Sequence, residues 1–147
     1  MKHLFLASAL CLTATLAMAQ ATPVGTWKTI DDGSKKEKSL VRITETGGVL
    51  SGRIEKLLDS ATAADAVCDK CSDDRKDKPI LGLTIITGVK KSDTAADVWD
   101  GGHILDPNDG KVYKVRMSPV EGGKKLEVRG YVGMPLLGRT QTWLRVE

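Results

Sequence analysis

Cys68-Asp69-Lys70-Cys71 holds the two side chains of this chain whose type and spacing are best suited to chemistry. Such a pair can cycle electrons as a dithiol, supply half of a zinc site, or close as a disulfide. A redox dithiol needs a thiolate of lowered pKa, usually at a helix N-terminus behind a strand. Here Asp69, Asp73, Asp74 and Asp77 crowd the pair with negative charge, which works the other way, and Pro79 argues against a long helix behind it. A structural zinc ion needs four ligands. Only His103 and some carboxylate are on hand to complete such a set. Choosing among the three chemistries requires knowing the redox compartment.

The start of the chain addresses that. Lys2 and His3 give a positive charge, and an apolar run from Leu4 to Leu16 follows, broken only by Ser8, Thr13 and Thr15. Ala17-Met18-Ala19 then offers small residues where a signal peptidase reads, so residues 1–19 match a cleavable secretory signal peptide with cleavage before Gln20. The run falls short of the roughly 20 residues that cross a bilayer, and no later segment is long and apolar enough, so no transmembrane segment is expected after cleavage. Lipidation at Cys11 is the rival outcome. A lipoprotein signal wants a small residue just before its cysteine, and Leu10 stands there. The expected location is therefore outside the inner compartment, periplasmic or secreted. In such an oxidising setting Cys68 and Cys71 are expected to form a disulfide. A thiol redox role is the alternative, and metal binding comes last.

Residues 20–147 then form the working protein, a length that fits a single domain burying roughly two thirds of its unfolded surface. Without Lys2, twenty-one basic residues face nineteen acidic ones, a near-neutral balance. The basic pairs Lys35-Lys36, Lys90-Lys91 and Lys124-Lys125 lie beside turn residues, as charges that protect strand edges do. No basic stripe is interleaved with aromatics, so no nucleic-acid partner is expected. The leader also carries His3, Phe5 and Cys11, which leaves the domain one histidine and no phenylalanine. A Ser-His-Asp site would have to use His103, and no Gly-x-Ser-x-Gly elbow is present. Asp106-Pro-Asn-Asp-Gly-Lys111 has its glycine fifth and Met117 where a calcium loop closes on Glu, so it reads as a turn. No catalytic residue, metal or cofactor is expected.

What must position any site is a succession of short strands. Gly25–Ile30 opens, and Asp31-Asp32-Gly33-Ser34 turns. Ser39–Thr46 and Val49–Lys56 alternate around Gly47-Gly48 as a hairpin, with Val41 and Ile43 on one face and Leu50, Gly52 and Ile54 on another. Residues 59–78 are polar and irregular. Ile80–Val89 is rich in β-branched residues and reads as a buried strand. Val98–Leu105 contains Gly101-Gly102, which suggests a bulge or sharp bend. Lys111–Ser118, Lys124–Val132 and Arg139–Val146 complete the set, the first two joined at Glu121-Gly122-Gly123. About eight strands at hairpin spacing, with no long helical pattern, predict an all-β antiparallel barrel that hides its own edges, a sandwich being the runner-up.

Several longer motifs resemble a known family. They are Lys78-Pro-Ile-Leu-Gly-Leu-Thr-Ile-Ile-Thr-Gly88, the stretch from Trp99 through Gly101-Gly102 and Ile104-Leu105-Asp106-Pro107 to Tyr113, and Leu126-Glu-Val-Arg-Gly-Tyr131 with Leu137-Gly-Arg-Thr-Gln-Thr-Trp143. They are similar to a bacterial exported family known as domain of unknown function 2147. The resemblance runs from Gly25-Thr26-Trp27 to Trp143-Leu144-Arg145 and implies a lipocalin-like, calycin-type β-barrel. Gly25-x-Trp27 and the late Arg145 also echo the lipocalin pairing of a barrel-base tryptophan with a last-strand arginine. The family carries no settled activity, so its implications stop at the fold.

The remaining candidates are aromatic and cationic: Trp27, Trp99, Tyr113, Tyr131 and Trp143, with Arg129, Arg139 and Arg145 nearby. Core filling and Arg-on-Trp packing would account for them. Alternatively Trp27, Trp99, Tyr113, Arg129, Tyr131, Arg139 and Trp143 line a pocket in which an Arg fixes an anionic headgroup. Met134-Pro-Leu-Leu137 would then be a lid or a partner-contact patch. The expected function is non-enzymatic binding of a small, mostly apolar ligand, which demands a cavity of about 300 Å³ or more. The competing expectation is a solid-cored module that meets envelope proteins through its surface. The Cys68/Cys71 ring is short and constrains the unfolded chain by only about 2 kcal/mol. The Cys68→Ser/Cys71→Ser double variant should therefore keep its β-sheet circular dichroism; loss of that spectrum would contradict the expectation.

Overall fold

The computed structural model describes residues 21–147; the leader expected at 1–19 lies outside the described residues. Eight strands follow one another: β1 (Gly25–Ile30), β2 (Glu37–Thr46), β3 (Val49–Leu57), β4 (Thr84–Lys91), β5 (Trp99–Asp106), β6 (Lys111–Val120), β7 (Lys125–Tyr131) and β8 (Arg139–Arg145). Each pairs antiparallel with its neighbour in sequence, and β8 returns to β1, so the sheet is a closed barrel. Closure satisfies the edge groups that an open eight-stranded sheet would expose. The all-β barrel expected from the strand spacing is thus the fold; the sandwich is not.

Local chemistry sets most turns. Gly47 and Gly48, both at positive φ, join β2 to β3 in the two-residue turn whose twist matches a hairpin. Between β5 and β6, Asp106 accepts the Asn108 N–H on its side chain and the Gly110 N–H on its carbonyl. The ladder between β5 and β6 shifts register between Trp99 and Gly102, the bulge that Gly101-Gly102 foretold. One strand starts later than the β-branched run suggests. Residues 80–83 form a turn in which Leu83 N–H reaches the Ile80 carbonyl, so β4 begins at Thr84. The residues before it belong to the long connection 58–83, which is held by the Cys68–Cys71 disulfide.

The barrel has two ends. The β1–β2, β3–β4, β5–β6 and β7–β8 connections form the rim; the other connections and both described termini form the base. Toward the base the interior is packed solid with Trp27, Val41, Ile43, Leu50, Ile86, Val89, Trp99, Val115, Met117 and Leu126, each 5% exposed or less. Gly52 is required there, since a Cβ would fall 2.9 Å from the Ile86 side chain.

Arg145 seals this end. Its guanidinium lies 4.2 Å over the Trp27 ring and donates to the carbonyls of Gly123, Val24 and Thr22, at 2.5, 2.9 and 2.8 Å. The Trp27 indole N–H bonds the Pro23 carbonyl at 2.7 Å. Gly25, at φ +139°, leaves the space: a Cβ there would fall 2.4 Å from the Arg145 guanidinium. The echo of a base tryptophan and a last-strand arginine is thus a physical contact.

Arg145→Leu should destabilise the domain by on the order of 3 kcal/mol, since it orphans carbonyls bound to a charged donor and removes the cation–π contact. Trp27→Phe, which loses only the Pro23 bond and part of the ring, should cost about 1–2 kcal/mol. Urea unfolding midpoints check both.

Candidate functional site

Above the packed half the barrel is open. A cavity of about 400 Å³ occupies the rim half, bounded by lining residues that lie on every strand and on all four rim connections. Trp143, Val128 and Ile54 are the lining residues set furthest from the rim ends of their strands. The expectation of an interior space above about 300 Å³ is met.

The structure divides the sequence candidates. Tyr113, Tyr131, Arg139 and Trp143 line the cavity. Trp27 and Trp99 do not: both are buried in the packed half, where Lys91 covers the Trp99 ring at 4.1 Å. Arg129 does not line it either. Alternation on β7 turns Leu126 and Val128 inward and Arg129 outward, where it braces the β7–β8 connection. Its Nε donates to the Pro135 carbonyl at 2.5 Å, Nη2 to that of Leu136 at 3.3 Å, and Nη1 to the Thr140 hydroxyl at 2.7 Å. That bracing holds Val132, Met134, Leu136 and Leu137 exposed, and Val132 and Leu137 also line the mouth.

Sequence reasoning missed most of the lining. Thr29, Ser39 and Gln141 face the cavity, as do Ile54, Leu57, Ile80, Ile85, Ile104 and Leu105. The inward alternation of Ile54 was visible in the sequence; the polar residues gave no signal. Thr29 and Ser39 are each 7% exposed, and their hydroxyl oxygens lie 2.8 Å apart. Gln141 accepts the Trp143 indole N–H at 3.0 Å and donates to Asp32 at 3.4 Å.

Both basic lining residues already hold a carboxylate. Arg139 pairs with Asp32 at 3.0 Å, and Lys38 pairs with Asp59. Asp31, Asp106 and Asp109 line the mouth as well. The Ser34 N–H and hydroxyl hold Asp31 below the usual carboxylate range. An arginine free to fix an anionic headgroup is therefore not what this mouth presents. His103 stands exposed on β5, between Thr87 and Lys114 of the neighbouring strands. The disulfide is buried, with Cys68 and Cys71 at 0% and 3% exposure, and it braces a rim connection.

Against known proteins, residues 25–145 match the family described as "Uncharacterized protein conserved in bacteria (DUF2147)". The chain belongs to this family. Comparison with curated proteins gives no match. Among solved structures, this family member is similar to protein HP1028 from Helicobacter pylori, described as belonging to the lipocalin family. The TM-score is 0.73 at 21% identity, over 87% of this chain and 85% of that one. At that identity the likeness concerns the fold, an eight-stranded lipocalin-like barrel.

At the mouth, Tyr113 donates to Asp109 at 2.6 Å, and that bond, with burial, pushes its phenol up to about 12 from 10.0. The folded state thus holds the proton more tightly than the unfolded chain. The contribution is fully present below pH 10 and fades as pH climbs from 10 through about 12. Titration of tyrosinate absorbance should show one phenol ionising near 12, and Asp109→Asn should bring it back toward 10.

Proposed function

We propose that this protein is exported and works, without catalysis, as a carrier or sensor of a small, mostly apolar ligand held in the rim-half cavity. The observation that carries the reading is the cavity itself. At about 400 Å³ it falls within the roughly 300–1,000 Å³ of small-molecule sites. A barrel built only for stability has no need of it, since filling it with side chains would add burial at about 25 cal/mol per Å². The leader pattern and the disulfide fit an oxidising compartment outside the inner membrane. The scarcity of nucleophile and base pairs supports binding over turnover.

A second reading has one observation in its favour. The exposed Met134, Leu136 and Leu137 form an apolar lip of the kind that meets a partner protein. The open interior counts against a solid module that acts only through its surface.

Binding of N-phenyl-1-naphthylamine, whose fluorescence rises in apolar surroundings, tests the first reading. Saturable uptake of one molecule per chain is expected. Gly130 lines the cavity, and a Cβ there meets Tyr113 only at an ordinary 3.5 Å. Gly130→Leu should therefore fill space and weaken uptake about tenfold, or 1.4 kcal/mol, with the unfolding midpoint little changed. Uptake that is unsaturable, or unaltered in the variant, would sink the reading.

A further inference from the structure

The cavity wall is chemically divided along its circumference. Strands β8, β1 and β2 are consecutive around the barrel, and with the β1–β2 connection they contribute Arg139, Gln141, Thr29, Asp31, Lys38 and Ser39 to the lining. Apolar exceptions in that sector are Ile30 and Trp143, and the Trp143 indole N–H is turned to Gln141. Strands β3, β4 and β5, with the connection before β4, contribute Ile54, Leu57, Ile80, Ile85, Ile104 and Leu105. Thr62 and Asp106, in the β3–β4 connection and at the rim end of β5, are the polar members of that sector. One wall of the cavity is therefore polar and the facing one aliphatic.

The polar wall includes buried side chains as well as those at the mouth. Thr29 and Ser39 are two of the three buried polar side chains among the described residues, and both face the cavity. Their hydrogen-bonding capacity is incompletely used. One hydroxyl hydrogen lies between the two oxygens, 2.8 Å apart, and Thr29 also accepts the Ser39 N–H at 3.1 Å. For the second hydroxyl hydrogen the protein offers only a 3.4 Å contact from Thr29 to the Ser39 carbonyl. If Ser39 keeps it, that hydrogen has no bond within the pair. A ligand oxygen would offer that hydrogen a better acceptor than the long contact does.

We propose that the ligand is amphipathic along its length: a flat or ring-bearing molecule with hydroxyl or carbonyl oxygens on one edge and hydrocarbon on the other. A single-chain amphiphile, polar at one end only, would lay hydrocarbon against Thr29, Ser39 and Gln141 and leave their polar atoms without partners. A two-edged ligand faces its oxygens to that wall and its hydrocarbon to Ile54, Ile85, Ile104 and Leu105. This inference rests on the cavity-binding reading and adds the class of ligand.

Deoxycholate, with both hydroxyls on one face, and dodecanoate, polar at one end, carry the same charge and serve as probes below their micelle-forming concentrations. Each is titrated against bound N-phenyl-1-naphthylamine and by calorimetry. Deoxycholate should bind at least tenfold more tightly than dodecanoate. In Thr29→Val/Ser39→Ala, which removes both hydroxyls of the pair together and with them the acceptor of the Ser39 N–H, deoxycholate should weaken about tenfold while dodecanoate holds or improves. Dodecanoate binding equally well or better, an unchanged ratio in the double variant, or naphthylamine uptake with neither probe competing would overturn the inference alone. Failure of all three molecules to bind would overturn the cavity reading with it.

Discussion

Closure of the barrel hangs on its weakest seam. Where β2 and β3 pair at eight positions, β1 and β8 pair at two, Trp27 with Arg145 and Lys28 with Leu144. Backbone bonds carry the seam one step further, Thr26 N–H to the Glu147 carbonyl and Val146 N–H to the Thr26 carbonyl, both at 2.8 Å, so that no edge is left to a neighbouring chain. The Arg145 side chain reinforces the seam that its backbone helps to close. One guanidinium ties β8 to the segment before β1 and to the β6–β7 turn, while its face covers the Trp27 ring. Burial lowers its pKa, because the guanidinium loses part of its hydration there. Arginine suits the position because its planar fork spreads its donors among several carbonyls while its face lies on the ring, whereas an ammonium is a compact point charge.

Because the base is sealed and filled, the rim half is free of that duty. Of the largest fully buried side chains, Trp27, Ile43, Leu50, Ile86, Met117 and Leu126 lie outside the cavity lining, and Leu105 alone among them reaches it. Stability and binding therefore occupy different halves of one short barrel. The lining can carry hydroxyls, an amide and carboxylates whose burial would burden a packed core.

The rim connections are not slack for all their length. In the longest, residues 58–83, Cys68 N–H bonds the Lys78 carbonyl, Asp77 N–H bonds the Cys68 carbonyl, and the disulfide draws the Cys68 and Cys71 Cα atoms to 5.4 Å. Its tip then meets the β5–β6 turn: a Cβ on Gly110, at φ +71°, would fall 1.9 Å from the Lys70 carbonyl oxygen. The cysteine motif thus acts by shaping a connection that also lends Thr62 and Ile80 to the cavity wall. Arg129 does the comparable work for the β7–β8 connection through bonds to two of its carbonyls.

By itself the sequence determined what depends on near neighbours. Alternation along β2, β3, β6 and β7, and the turns at Gly47-Gly48 and Asp106–Gly110, are matters of one to five residues, and they made eight antiparallel strands legible. Short range also explains the error at residues 80–83, where β-branched composition cannot tell a strand from a turn docked on Arg53 and Ile54. Only the tertiary structure decided which aromatics meet the cavity. Trp27, Trp99 and Trp143 all point inward, and their fates differ by height along the barrel, a quantity set by register and closure. It likewise brought Thr29, Ser39 and Gln141 onto one wall, because β8 and β1 lie more than a hundred residues apart in the chain and become neighbours only when the barrel closes. A site assembled across that seam leaves no local pattern to read.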